Sequence, residues 1–454
     1  MNTEKDKVGL GYKMFKSYVG FFTMHFYYRR VYILNTENIP TDCPLLVVAN
    51  HQNSLNDAFG LLFSLKKRAA RKIRAITRAS IFANPVASRI LEWVGLFPAF
   101  RLDYDGIDSL MNNANTFDET AEELLKNGTV IIYPEGRHQG KRWLGKFSHG
   151  YLKMLFQAAE KSDFERELFI MPSCNHYSSY FGLRKDMLIK FGTPISLKPY
   201  YELYQTKPRT AQRMVNEKVR EQVSNLMLNI EDEENYDAID YLRNTYGVKY
   251  AETKGYNPTF LPEKLLADKA FYKELESAKD DQPEAVQTIY DETHSFISKI
   301  KQLKIESINF DRKDSWLKIL LQAIILVLLF PVCVLGYIID SLIIIPARVL
   351  SRNVQDPMLK NAVQLILTLT ITLPLSFIVG FFLAWKFLGS AIIGLVFALS
   401  IPLWGLFDYY YTLGVRQLLI EIRYKFLLKK HKLTNILTLK ESIYEKLDNL
   451  FKLN

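Results

Sequence analysis

Residues 45–57 read Leu45-Leu46-Val47-Val48-Ala49-Asn50-His51-Gln52-Asn53-Ser54-Leu55-Asn56-Asp57. A short apolar run bounded by polar, turn-forming residues predicts a buried strand over Leu45–Ala49. Residues 58–65 then carry the apolar spacing of a helix. The same alternation continues outward. Residues 130–133 (VIIY), 168–171 (LFIM) and 187–191 (MLIKF) are further strand candidates, with helical patterns over 109–126 and 151–161 between them. Strands alternating with helices imply an α/β layer fold with a central, mainly parallel sheet. Gly192-Thr193-Pro194 is expected to end the last strand and the core.

The flanking regions have a different character. Residues 10–34 are rich in Phe and Tyr but broken by Lys13, Lys16, Arg29 and Arg30. That pattern fits helices lying in a membrane interface, with rings at headgroup depth, and also fits a helix packed on the core. Residues 206–312 read as helical and polar. From about 316 to 411 the chain turns strongly apolar, so a mean hydropathy near zero averages two regimes. Segments 363–383 and 388–407 are each long enough to span a bilayer. Segment 317–339 is also long enough to span, but Pro331 and Gly336 interrupt it and Asp340 follows, with 341–345 apolar again. Basic residues on both sides of the later pair place both ends in the cytoplasm by the positive-inside tendency. A catalytic domain on that side then requires 317–350 to be a re-entrant or hairpin element. The expected organisation is an interfacial segment (1–40), a catalytic domain (41–205), a helical polar insert (206–312), a membrane region (313–412) and a basic helical tail (413–454).

A chain of 454 residues with a formal net charge of +10 suits anionic lipid headgroups, acidic substrates or nucleic acid. Nucleic acid is the weaker reading, because the basic residues flank apolar segments and no zinc-finger spacing or basic heptad is present. Three widely spaced cysteines, Cys43, Cys174 and Cys333, form no disulfide or metal-binding pattern and are expected to be reduced thiols. The first residues, MNTEKDKVG, lack the apolar core of a signal peptide.

His51 opens the loop after the first buried strand, where α/β folds place reactive groups. An acidic residue shortly downstream can hold its imidazole by one nitrogen and raise the basicity of the other. An ordinary helix-capping His is the alternative. Residues 95–101 (GLFPAFR) end an apolar run with Arg101, whose guanidinium can grip a phosphate bidentately. Residues 131–137 (IIYPEGR) end a strand with Glu135, Gly136 and Arg137, and Ile170-Met171-Pro172 ends another. His138 and His149 flank a basic stretch, Lys141, Arg142 and Lys146, suited to an acidic headgroup, an acyl carrier protein or a membrane surface.

In these blocks, in this order, the chain resembles the glycerolipid acyltransferase family, whose best-known members acylate 1-acylglycerol 3-phosphate. The resemblance covers roughly residues 45–197. It implies that His51 is a general base, oriented by Asp57. It also implies that Arg101, Glu135, Gly136 and Arg137 contact the substrate. The acyl donor would be acyl-CoA or acyl carrier protein and the acceptor a lysophospholipid, with no bound cofactor or metal. The spacing departs from the family pattern: Asn56 stands where the family has its Asp, so either Asn56 or Asp57 orients His51. Acylation of glycerol 3-phosphate or another lysolipid, a catalytically inactive lipid-binding scaffold, and thioester hydrolysis are the competing expectations.

Overall fold

The computed structural model describes residues 8–82, 85–99, 113–138, 140–306 and 315–452. The chain divides into two compact units, Met1–Asn229 with Asp356–Ala362, and Ile230–Gln355 with Val363–Asn454.

The first unit is built on a sheet of eight strands among the described residues. They are β1 (Tyr28–Leu34), β2 (Leu45–Ala49), β3 (Arg74–Arg78), β4 (Leu96–Ala99), β5 (Thr129–Ile132), β6 (Phe169–Tyr177), β7 (Lys185–Phe191) and β8 (Ile195–Ser196). Their spatial order is β1-β7-β6-β2-β5-β3-β4, with β8 paired to β6. β2 lies between β5 and β6, parallel to both, and β3 and β4 continue the parallel run. β7 runs antiparallel to β6, and β1 parallel to β7. The sheet is therefore mostly parallel, flanked by helices, as the alternating pattern implied.

All five β2 residues are fully buried. Side chains alternate across a strand. Leu46 and Val48 join Leu152, Leu155, Phe156, Val215 and Val219 on one face. Leu45, Val47 and Ala49 join Leu61, Leu65 and Met187 on the other. Helices Gly150–Lys161 and Pro208–Leu226 thus cover one side, and helix Leu55–Ser64 covers the other.

Three expectations are corrected. Residues 10–34 are not all helical, because Tyr28–Leu34 forms edge strand β1 on β7. Val31, Tyr32 and Ile33 are β-branched or aromatic and suit a pleated, half-buried surface. The preceding helix, Leu10–Phe21, does expose Leu10, Met14 and Phe21. The core does not end at Gly192-Thr193-Pro194, since β8 and helix Pro208–Leu226 complete it. Segment 317–350 is no hairpin but one continuous 35-residue helix, Trp316–Leu350, with Pro331 and Pro346 inside it. Proline removes a backbone hydrogen bond without ending a helix whose surroundings are apolar.

Among the described residues three helices are long and apolar enough to cross a membrane, Trp316–Leu350, Pro357–Leu388 and Ala391–Lys429, and the second of them starts in the first unit, which includes Asp356–Ala362. Asp340 and Asp408 are buried within the first and third of these. Asp408 packs against Gly336, and Asp340 against Gly405. The polar insert is helical, and the C-terminal helix Thr434–Phe451 packs on it. Tyr246, Tyr250, Phe271 and Phe451 interlock there, with ring centroids 5.4–6.3 Å apart. Lys249 meets both carboxylate oxygens of Asp448 at 2.6 Å.

One arginine ties the loops at the amino ends of β2 and β5. Buried Arg68 donates to Thr129 Oγ1 at 2.7 Å and to the carbonyls of Pro40, Cys43, Asn127 and Gly128 at 2.7–3.2 Å. Removing it leaves several buried acceptors without a donor, at about 1–3 kcal/mol for each group left unsatisfied. Arg68→Ala should therefore lower unfolding stability by roughly 2–4 kcal/mol. Arg68→Lys, which keeps the charge but not the planar fork, should recover under half of that loss in denaturation of detergent-purified protein.

Candidate active site

The site forms at the carboxyl ends of β2, β5 and β6, where loops leave the sheet on a common edge. β2 delivers Asn50 and His51. Asn50 is locked to β6 in both directions: its side chain donates to the Asn175 carbonyl at 3.0 Å and accepts the Asn175 N–H at 2.7 Å. The chain then turns through Ser54, which has a positive φ of 51°. A non-glycine residue in that conformation carries strain of about 1–3 kcal/mol. This turn starts helix Leu55–Ser64 early enough to put Asp57 in its first turn.

Asp57 is fully buried. Its Oδ2 lies 2.9 Å from His51 Nδ1 and accepts the backbone N–H groups of Gln52 and Asn53 at 2.9 and 2.8 Å. Its Oδ1 accepts the Tyr177 hydroxyl at 2.6 Å. Asn56 turns elsewhere, donating to Asn53 Oδ1 at 3.3 Å. The six-residue separation of His51 and Asp57 is thus accommodated by the Ser54 turn. A carboxylate can only accept, so Nδ1 carries the proton and Nε2 presents a lone pair. The His51 side chain keeps 19% of its surface exposed, so the ring remains reachable.

Two aromatic neighbours frame the imidazole. Tyr133 stacks on it, with centroids 4.6 Å apart and planes 26° apart, and the His138 ring stands perpendicular at 5.8 Å. Burial, reinforced by the Asp57 charge, pushes the Tyr177 hydroxyl well above its ordinary pKa, so it stays a donor.

Glu135 spans two loops. Its Oε1 accepts the His51 backbone N–H at 2.6 Å, and its Oε2 accepts the Gly145 N–H at 2.8 Å. Burial pushes its carboxyl from 4.5 up to about 7, against the opposing effect of those two N–H donors.

Residues 30–174 match the family model for acyltransferases. This region is an acyltransferase domain. No curated protein sequence matches the chain. Among solved structures, the 1-acyl-sn-glycerophosphate acyltransferase PlsC from Thermotoga maritima is similar at 18% identity, covering 47% of this chain and 79% of that one. The TM-score is 0.33, too low an overlap to carry residue roles across.

Within the acyltransferase domain the structure brings His51, Asp57 and Glu135 together. Gly136, with φ +68°, and Arg137 lie exposed at the turn after Glu135. Arg101 lies outside the described residues. The basic stretch after Glu135 is not uniformly a surface. Arg142 is buried, donates to the Tyr177 carbonyl at 3.0 Å and lies over the Tyr180 ring, whereas Lys141 and Lys146 are exposed. Tyr177, Tyr133, Asn175 and Gly145 escaped sequence reasoning. Tyr133 directly precedes Pro134-Glu135 at a strand end and carried a local signal. Tyr177 did not, since its position opposite Asp57 depends on strand order.

The Glu135 carboxyl makes the acyltransferase domain pH-sensitive with a definite sign. Its folded pKa is raised, so between pH 4.5 and about 7 the folded protein holds a proton that the unfolded chain has lost. Stability from this group is full below 4.5 and is lost as pH rises through about 7. The swing should be roughly 2–3 kcal/mol. Glu135→Gln should flatten that slope in unfolding curves taken at stepped pH, and an unchanged slope would contradict the assignment.

Proposed function

We propose that the protein transfers a fatty acyl group from a thioester, acyl-CoA or acyl carrier protein, to the hydroxyl of a lysophospholipid, with 1-acylglycerol 3-phosphate as the favoured acceptor. The observation that carries this reading is the His51–Asp57 pair in an acyltransferase domain, with Nδ1 2.9 Å from a buried carboxylate and the ring open to solvent. Three helices of membrane-spanning length support a lipid acceptor and a membrane location.

The chemistry follows from the tautomer. His51 Nε2 takes the proton of the acceptor hydroxyl as its oxygen forms a bond to the thioester carbonyl carbon. The resulting imidazolium is stabilised by the Asp57 carboxylate. The tetrahedral intermediate then collapses, the C–S bond breaks, and the leaving thiolate takes the proton from His51. No bound cofactor or metal is needed. Arg101 and Arg137 are the proposed grips on the acceptor phosphate, a role suited to the planar guanidinium fork.

The test is acyl transfer by detergent-purified protein, with acyl-CoA and acyl carrier protein donors offered separately to a lysolipid panel and glycerol 3-phosphate. His51→Ala should lower kcat/KM by about 10²–10⁴-fold with expression and membrane association intact. Turnover retained in that variant would refute the base assignment. Arg101→Ala should raise acceptor KM more than donor KM. Hydrolysis of donor without transfer would replace this reading by a thioesterase, and no turnover in folded protein by a lipid-binding scaffold.

A further inference from the structure

The segment Asp356–Ala362 lies in sequence between the first two long apolar helices, yet it is grouped with the acyltransferase unit. Its first residue performs two tasks. Asp356 Oδ1 accepts the backbone N–H groups of Met358 and Leu359 at 2.9 and 3.0 Å, capping the helix that starts at Pro357. Its Oδ2 lies 2.8 Å from His138 Nε2. Met358 is buried, and its terminal methyl sits 2.7 Å from where a Cβ on Gly140 would stand. Gly140, at φ +64°, donates its N–H to the Gln52 carbonyl at 3.2 Å. His138 and Gly140 are thereby held between Asp356 and Met358 on one side and the His51 loop on the other.

The consequence falls on the His51 ring. Asp57 holds its Nδ1, Tyr133 stacks on it, and His138 stands perpendicular to it. Burial lowers the His138 pKa, so near neutral pH the ring is uncharged and its Nε2–H donates to Asp356. A carboxylate bound to one imidazole nitrogen fixes both the tautomer and the ring orientation. The geometry points to Asp356 as a positioning residue of the acyl-transfer site, acting through His138 to keep the His51 ring aligned with Asp57. This inference rests on the reading of His51 as the base, and extends the site to a residue on the far side of the first long apolar helix in sequence.

The test uses the full chain in detergent with 15N-labelled histidine, and assigns the His138 signals by their loss in His138→Gln. Wild type should show His138 protonated at Nε2. Asp356→Ala should mix its tautomers and shift the His51 resonances, while Asp356→Asn, which keeps the helix cap, should move them less. In transfer assays Asp356→Ala should lower kcat by about ten- to a hundredfold, the scale of a misplaced catalytic group, while donor and acceptor KM change less than about twofold. The Asp356→Ala/His138→Gln double variant should be no slower than the slower single variant, since both act on one ring. His51 and His138 spectra unchanged in Asp356→Ala would overturn the inference, as would additive losses in the double variant. Wild-type protein without transfer activity would instead remove the acyl-transfer reading, and the spectra alone would then decide the role of Asp356.

Discussion

A buried carboxylate is costly unless its lone pairs are met, and Asp57 shows how completely this fold meets that demand. One oxygen receives the His51 Nδ1 proton and two backbone N–H groups, and the other receives the Tyr177 hydroxyl. Charge-assisted hydrogen bonds of this kind are about twice as strong as neutral ones. Each donor comes from a different structural decision. The His51 ring follows the end of β2, the two amides belong to the turn, and the hydroxyl comes from the end of β6. The strained Ser54 conformation persists because these contacts over-determine it.

The sheet explains why the donors can meet. β2 sits between two parallel neighbours, so the carboxyl ends of three strands share an edge. The Asn50–Asn175 exchange fixes β2 against β6 at the point where both leave the sheet. Glu135, after β5, repeats the logic from the other flank by accepting the His51 amide. Backbone and side chain of the same histidine are therefore held by two different acids. One is met by hydrogen bonds on both oxygens, while burial drives the other toward protonation near neutrality.

The apolar region from 316 to 411 obeys other rules. Proline inside Trp316–Leu350 does not stop the helix, because the apolar stretch has no better way to satisfy its backbone. Asp340 and Asp408 sit inside this region opposite glycines on the facing helix, which leave the space a carboxylate requires. The short segment beginning at Asp356 departs from this pattern and folds with the acyltransferase unit. Segmentation by hydropathy alone assigns it to the membrane block.

Features written in local periodicity are legible in the amino-acid sequence itself. The apolar run Leu45–Ala49, the alternation of strand and helix patterns, the loop carrying His51, and the Glu135 turn after β5 all follow from near neighbours along the chain. The competition between Asn56 and Asp57 is not legible there, because it turns on one positive φ at Ser54. Nor is β1, whose strand character needs the edge offered by β7, more than 150 residues away in sequence, as the pairing of Val31 with Met187 shows. Tyr177 reaches Asp57 across 120 residues, and Asp356 reaches His138 from beyond an entire apolar helix. Periodicity specifies which face of an element is buried. It does not specify which element lies alongside, and that choice, made by strand order and long-range packing, built the polar surroundings of His51.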